Sequence, residues 1–233
     1  MDNGILLSAF SAVSFTPSPE QVEQFQTYHA LLAEWNQRIN LTAVIDDEGV
    51  AQKHFADSLL VLPFLKGEER VLDLGTGAGF PGVPLLIARP GLKLTLMDSV
   101  KKKLDFLAHL LPELGLTAEL LHARAEDAAK KTEYRDGFDL VLSRAVAPMN
   151  VLAELALPFV QPGGKAVCFK GPALSDELAV ARRALRELCA KVAEVREFSL
   201  PWGERKLAVL QKTAPTPKKY PRQAGKASRN PLC

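Results

Sequence analysis

Residues 71–82 read VLDLGTGAGFPG. A short apolar run reaches an acid, Asp73, and four glycines then fall within eight positions, at Gly75, Gly77, Gly79 and Gly82. Glycine tolerates left-handed backbone and lets another group approach the chain closely. The stretch therefore reads as a bare turn at the end of a strand. Residues 80–88 follow as a helix with Pro81 near its start, and a helix so placed turns its first N–H groups toward a carboxylate or phosphate. This unit demands a sheet whose strands end at a common ligand edge.

The rest of the chain supplies one. Strand patterns at 70–74, 93–98, 118–122, 138–143 and 165–170 alternate with helical patterns at 80–88, from Ser99 onward, 148–160 and 176–190. Such alternation implies a parallel sheet wound on both faces. Two last strands, 192–198 and 206–211, have no helix between them and read as an antiparallel hairpin at one edge. Ahead of the sheet, Ser18-Pro19-Glu20-Gln21 is a helix start with a capping pattern. Val22, Phe25, His29, Leu32, Trp35 and Ile39 then mark one apolar helix face. A second helical segment spans roughly 48–65, and residues 1–17 carry little pattern. The expected organisation is an N-terminal helical extension (1–66), an α/β domain (67–212) and a basic tail (213–233).

At 233 residues the chain can bury a proper core. No apolar run approaches a membrane span and the N-terminus lacks a basic start, so no membrane partner and no signal peptide are expected. Cys168, Cys189 and Cys233 form neither a CxxC pair nor a metal spacing. The expectation is a cytoplasmic, metal-free protein, with monomer as the default state. The net charge of +2 is unevenly spread: Lys212, Lys218, Lys219, Arg222, Lys226 and Arg229 close the chain with no acid among them. The remainder carries 23 basic residues against 27 acidic ones. Such a tail is either a solubilising end or an element for an anionic partner such as nucleic acid.

In a doubly wound sheet the ligand sits beyond the strand ends where the strand order reverses. A dinucleotide would prefer GxGxxG, but Phe80 occupies the third glycine's place. Asp73 is also unwelcome beside a pyrophosphate. It suits a ligand with a cationic end, such as the ammonium of S-adenosylmethionine. Asp98 ends the second strand 19 residues after Gly79 and can accept both ribose hydroxyls. Arg124-Ala125-Glu126 follows the third strand, where the Ala125 backbone and Glu126 can meet an adenine edge. Phe80 is expected at the cofactor edge. Together these features indicate a class I S-adenosylmethionine-dependent methyltransferase fold, Rossmann-like and mostly parallel with seven strands. A nucleotide-binding or NAD-dependent α/β protein is the alternative.

WNQRINLT (35–42), KHFADS (53–58), VLDLGTGAGFPGVPL (71–85), SRAVAP (143–148), FKGP (169–172) and YPRQAGKASRNPL (220–232) resemble the RsmG (GidB) family of bacterial 16S rRNA guanine-N7 methyltransferases. The resemblance covers nearly the whole chain from about residue 25, and the tail departs from it at Ala224 and Lys226, where prolines are expected. It implies methyl transfer from S-adenosylmethionine to guanine nitrogen 7 in 16S rRNA of the small ribosomal subunit. That nitrogen carries a lone pair and no proton, so attack needs no general base and catalysis rests on holding the reactants in line. No catalytic side chain stands out, and SRAV occupies the position after the fourth strand. Cys168, between Val167 and Phe169, reads as core packing rather than a nucleophile.

Arg144, at the end of the fourth strand, is expected in the cofactor pocket on the strength of the resemblance. Lys170, Arg205 and Arg222 are expected to meet RNA, and Lys101, in the run 101–103, is either an RNA contact or part of a solvated face. His54, Asp57 and Ser58 share a helix face at i, i+3, i+4 spacing. A buried His54–Asp57 pair docking the extension onto the sheet, with Trp35, Asn36 and Asn40 packing the same junction, stands beside a catalytic role. A small-molecule methyltransferase and a non-catalytic ribosome-binding module on the same fold remain alternatives. The basic tail weighs against the first, and the glycine turn with Asp73 and Asp98 against the second.

Overall fold

The computed structural model describes residues 1–233. Seven strands form one sheet in the order β3-β2-β1-β4-β5-β7-β6. They are β1 (Arg70–Leu74), β2 (Lys93–Asp98), β3 (Glu119–His122), β4 (Phe138–Arg144), β5 (Val160–Lys170), β6 (Ala190–Leu200) and β7 (Gly203–Lys212). The first five pair in parallel, and β7 runs antiparallel between β5 and β6. The chain winds outward from β1 to β3 and then returns to place β4 on the other side of β1. The order therefore reverses between β1 and β4, which opens a crevice beyond Leu74 and Arg144. The expected class I methyltransferase architecture with a terminal hairpin is present, and the hairpin's second strand lies inside the sheet. No helix is long and apolar enough to cross a membrane.

Local details depart from the sequence reading where backbone geometry departs from regular periods. β5 starts at Val160, so Pro162-Gly163-Gly164 lies within it, and its pairing with β4 is irregular between Phe138 and Leu140. The helix after the glycine turn begins at Gly82 rather than residue 80. Residues 1–17, poorly patterned in sequence, contain a helix, Asn3–Ala12, whose first turn is capped by Asp2 accepting from the Gly4 N–H at 2.7 Å. Its Phe10 is fully buried against Phe25 and Phe15, with ring centroids 4.7 and 5.3 Å away.

The extension packs on one face of the sheet. Its main helix, Pro19–Asn36, opens on the expected capping box, with Ser18 and Gln21 exchanging hydrogen bonds. Phe25, Tyr28 and Leu32 form its buried stripe. Trp35 packs on Phe106 and His109, while Asn36 Oδ1 accepts from the N–H groups of Leu41 and Thr42 and ties the following loop. The second helical segment winds wide, as a π-helix over Val50–Ala56. In a π-helix residues three apart no longer stack. The expected His54–Asp57 pair does not form, because each side chain is taken by an arginine from the sheet: Arg144 by His54, Arg205 by Asp57.

The tail packs on the opposite face instead of trailing away. Lys212 Nζ is buried among Asp136, the Leu157 and Val160 carbonyls and Thr216 Oγ1, at 2.6–3.1 Å. Arg135 donates to the carbonyls of Thr216, Pro217 and Tyr220. Lys219 pairs with Glu187. Of the six tail cations, Lys218, Lys226 and Arg229 have no carboxylate partner within the protein.

Tyr28 joins the two parts of the fold. Its hydroxyl donates to the Ala78 carbonyl in the glycine turn at 2.6 Å, and its ring stacks on Phe80. Removing the hydroxyl leaves a buried carbonyl without a donor. Tyr28→Phe is expected to lower stability by about 1–3 kcal/mol, read from the urea midpoint with an unchanged slope.

Candidate functional site

The glycine turn is built around Asp73. This carboxylate is fully buried, and its Oδ2 accepts from Thr76 Oγ1 at 2.7 Å and from the Gly82 N–H at 2.9 Å. Its Oδ1 is buried with no partner, as are Ser143 Oγ and Arg144 Nη1 across the β1–β4 crevice. Burial pushes the Asp73 carboxyl up to about 6, against the two hydrogen bonds that favour its ionised form. A cation delivered to Oδ1 would restore the balance.

The turn itself is pinned to β2. The N–H groups of Gly75 and Thr76 both donate to the Met97 carbonyl at 2.9 Å, and the Gly77 N–H donates to Asp98 Oδ2 at 3.0 Å. The glycines are bare for separate reasons. A Cβ on Gly75 would stand 2.8 Å from Val146 Cγ2, one on Gly79 would stand 2.7 Å from the Tyr28 hydroxyl, and one on Gly82 would stand 2.5 Å from Leu96 Cδ2. A Cβ on Gly77 would meet nothing within 4 Å, so the backbone is open to a ligand there.

Two pockets flank the turn. The smaller, about 220 Å³, is lined by Gly75, Asp98, Ala125 and Glu126, with Gly225 and Ser228 from the tail. Asp98 Oδ1 accepts from the Val100 N–H at 2.9 Å, and Lys103 Nζ lies 3.5 Å from its Oδ2. Both oxygens brace backbone and keep further acceptor capacity, as paired ribose hydroxyls require. Gly75, Asp98, Ala125 and Glu126 of the expected set are thus brought together; Asp73, Gly77 and Gly79 line neither pocket, and the Gly77 N–H is bonded to Asp98.

The larger pocket, about 600 Å³, lies between the extension, the end of β4 and the β6–β7 hairpin. Five cations border it, Lys53, Arg144, Lys170, Arg205 and Lys206, against two acids, Asp57 and Glu177. Arg144, expected in the cofactor pocket, belongs to this wall. Its Nη2 donates to the Lys53 carbonyl at 2.5 Å and to His54 Nδ1 at 3.1 Å. Lys170 is held by Glu177 and the Ala147 carbonyl, each at 2.7 Å, and Arg205 by Asp57 at 2.7 Å. Asp57 also accepts from Trp202 Nε1. Lys101 borders neither pocket and pairs with Asp105 on the surface. Arg222 is engaged by Glu154. Phe80 stacks between His54 and Tyr28, with centroids 4.5 and 5.3 Å away, and lines neither pocket.

His54 is neutral. Burial, together with the adjacent Arg144, lowers its pKa to about 4. Nδ1 accepts from Arg144, which assigns the ring proton to Nε2, 2.7 Å from Thr42 Oγ1. Burial pushes the Cys168 thiol up to about 12, which removes it as a nucleophile. Sequence reasoning missed Lys53, Lys206 and Glu177 as pocket residues, and Val146, which borders both pockets. Val146 stood within the quoted SRAVAP stretch, but its role depends on a turn with Ala145 at φ 55°, which no periodicity signals.

The depressed His54 pKa ties stability to acid. The unfolded chain takes up this proton near 6.5 while the folded chain resists it to about 4. Stability is therefore complete above 6.5 and declines as pH falls toward 4. His54→Gln is expected to flatten that part of the pH–stability curve, measured by urea unfolding between pH 7 and 4.

The family described as rRNA small subunit methyltransferase G (GidB) matches residues 21–208. A ribosomal RNA small subunit methyltransferase G from Thermoanaerobacter pseudethanolicus is 47% identical over 216 residues, covering 91% of this chain and 90% of that protein. Another from Leuconostoc mesenteroides is 44% identical and covers both chains completely. Among solved structures, a methyltransferase from Pyrococcus furiosus aligns with a TM-score of 0.54 at 16% identity, over 82% of this chain and 98% of that one. A precorrin-6y C5,15-methyltransferase from Geobacter metallireducens aligns with a TM-score of 0.52 at 15% identity, over 76% and 96%. These two show the fold alone. The chain belongs to the rRNA small subunit methyltransferase G family.

Proposed function

We propose that this methyltransferase carries a methyl group from S-adenosylmethionine to nitrogen 7 of a guanosine in the 16S rRNA of the small ribosomal subunit. The observation that carries the choice of acceptor is that the imidazole and the two carboxylates lining the larger pocket are each tied to protein donors. His54 has both ring nitrogens engaged, Asp57 is held by Trp202 and Arg205, and Glu177 by Lys170 and the Met149 N–H. A hydroxyl acceptor would need its proton removed. Guanine nitrogen 7 has none, and an attack there asks only for alignment.

The residues fit the methyl donor. Its ammonium suits the buried, unpartnered Asp73 Oδ1, its ribose suits Asp98, and its adenine suits the wall of Ala125 and Glu126. The bound donor supplies an electrophilic methyl on a sulfonium. Gly75 and Gly77 let it lie against the backbone, and Val146 marks where the two pockets adjoin. The cation-rich larger pocket suits the phosphates around an exposed base, and such contacts position the RNA rather than read it. In this reading residues 1–66 form one wall of the RNA pocket, 67–212 carry the donor, and 213–233 close the donor's pocket.

Two measurements test it. Labelled methyl is supplied to small subunits from a strain lacking this protein, in parallel with naked 16S rRNA and large subunits, and the product nucleoside is identified by mass spectrometry. The expected product is 7-methylguanosine in small-subunit rRNA; another nucleoside, or label in none of the RNAs, overturns the assignment. Asp73 also makes binding depend on pH. Protonation near pH 6 removes the ammonium's partner, so affinity for S-adenosylhomocysteine is expected to fall as pH drops through about 6 and to level off above 7. Asp73→Asn is expected to bind weakly at every pH, as read by calorimetry.

A further inference from the structure

The tail borders the nucleoside pocket and is fastened on both sides of it. Before the pocket, Arg222 grips Glu154, itself 1% exposed. Nε and Nη2 reach its two oxygens at 2.6–3.0 Å, and the Arg222 N–H adds a bond of 2.8 Å. Beyond the pocket, Leu232 is buried. Between these anchors Gly225 and Ser228 line the same cavity as Asp98 and Glu126. The Gly225 N–H donates to Glu126 Oε1 at 2.8 Å, and Oε2 takes no protein donor. Gly225 presents that N–H from a left-handed turn, at φ 77°.

We propose that residues 222–232 are a built wall of the cofactor's nucleoside pocket, in which the Gly225 N–H holds Glu126 so that its second oxygen receives the 6-amino group of adenine. The proposal rests on the reading of S-adenosylmethionine as donor. Its chemistry is a matter of donors and acceptors. An ionised carboxylate only accepts hydrogen bonds. Adenine offers a donor at position 6 and hypoxanthine an oxygen, which the carboxylate repels. One neutral donor on Oε1 fixes the carboxylate's orientation without neutralising it. The tail, whose sequence suggested a solubilising end or an element for an anionic partner, thereby sets base selectivity at the pocket. Gly225 is a positioning residue, acting through Glu126.

The test uses the full chain and calorimetric titration with S-adenosylhomocysteine and S-inosylhomocysteine. The wild-type protein is expected to favour the adenosyl ligand by about tenfold or more, the worth of one hydrogen bond to a charged group. Gly225→Pro removes the N–H and cannot adopt the left-handed turn. A chain ended after Gln223 removes the wall but keeps the Arg222 anchor. Both are expected to lose about tenfold in affinity for the adenosyl ligand and most of the preference. Glu126→Gln can still accept from Gly225 but offers an amide N–H to the base, so its preference is expected to collapse without loss of folding stability. This variant decides the adenine contact even if the tail variants unfold.

If the wild-type protein binds neither ligand, the cofactor reading fails and takes this proposal with it. If it binds the adenosyl ligand and the tail variants match it in affinity and preference, the wall is refuted while the cofactor reading stands. A Glu126→Gln protein that keeps the full preference refutes the assignment of the adenine contact.

Discussion

Asp73 sits fully buried near the end of β1, where an ionised carboxylate costs several kcal/mol unless donors meet it. Two donors do so, from Thr76 and Gly82, and both reach the same oxygen. The strand end and the first residue of the following helix are thereby tied together, and the loop between them must double back through glycines. The other oxygen is left without a donor. The turn's shape and its appetite for a cation thus arise from one group, and the raised pKa near 6 expresses the same imbalance. Most of what surrounds the site holds this arrangement in place: Met97 and Asp98 from the side, and Tyr28 from the extension behind.

The extension contributes through a change in helical winding. Regular α-helical spacing would put His54 and Asp57 on one face, where they could satisfy each other. The wide winding of Val50–Ala56 separates them, and each takes an arginine from a different strand. Three separate parts of the fold, namely the extension, the centre of the sheet and the edge hairpin, are locked together around the larger pocket. The same bonds occupy two groups able to serve as a base, His54 and Asp57. Arg144 also keeps the imidazole neutral, since a second positive charge beside a guanidinium is unfavourable. Rigidity and the lack of a free base are therefore one feature, suited to an acceptor whose lone pair is already available.

The sequence made legible whatever depends on local pattern. The strand–turn–helix unit at 70–88, the acid ending β2 and the helixless terminal hairpin were all readable, because short-range hydrophobic periodicity and glycine placement specify them. Tertiary partners were not. Arg144 was expected in the cofactor pocket on the strength of the resemblance, and no local pattern announced that its Nη2 bonds to the Lys53 carbonyl and His54 Nδ1 from the extension. Phe80 sits in the glycine turn, but its ring stacks on side chains from the extension. The tail was the least legible. Its six cations without an acid left open a solubilising end and an element for an anionic partner, since a sequence cannot show that Glu154, Glu187 and Asp136, all distant along the chain, neutralise half of them.

Gly75 shows how closely the two pockets constrain each other. Its bareness reads naturally as room for a ligand, yet the atom that would collide with a side chain there is Val146 Cγ2, part of the turn after β4. Val146 borders both pockets and is 37% exposed, so under the proposed function it stands at the boundary that a transferred methyl crosses. A larger residue at position 75 would push Val146 outward, changing the acceptor's wall as well as the donor's floor. Under the proposed function the glycine is thus fixed from both sides, by the approach of the donor and by the seat of the residue that separates donor from acceptor. For a reaction that depends on alignment rather than proton transfer, such a shared boundary holds the two reactants in register more firmly than independent pockets could.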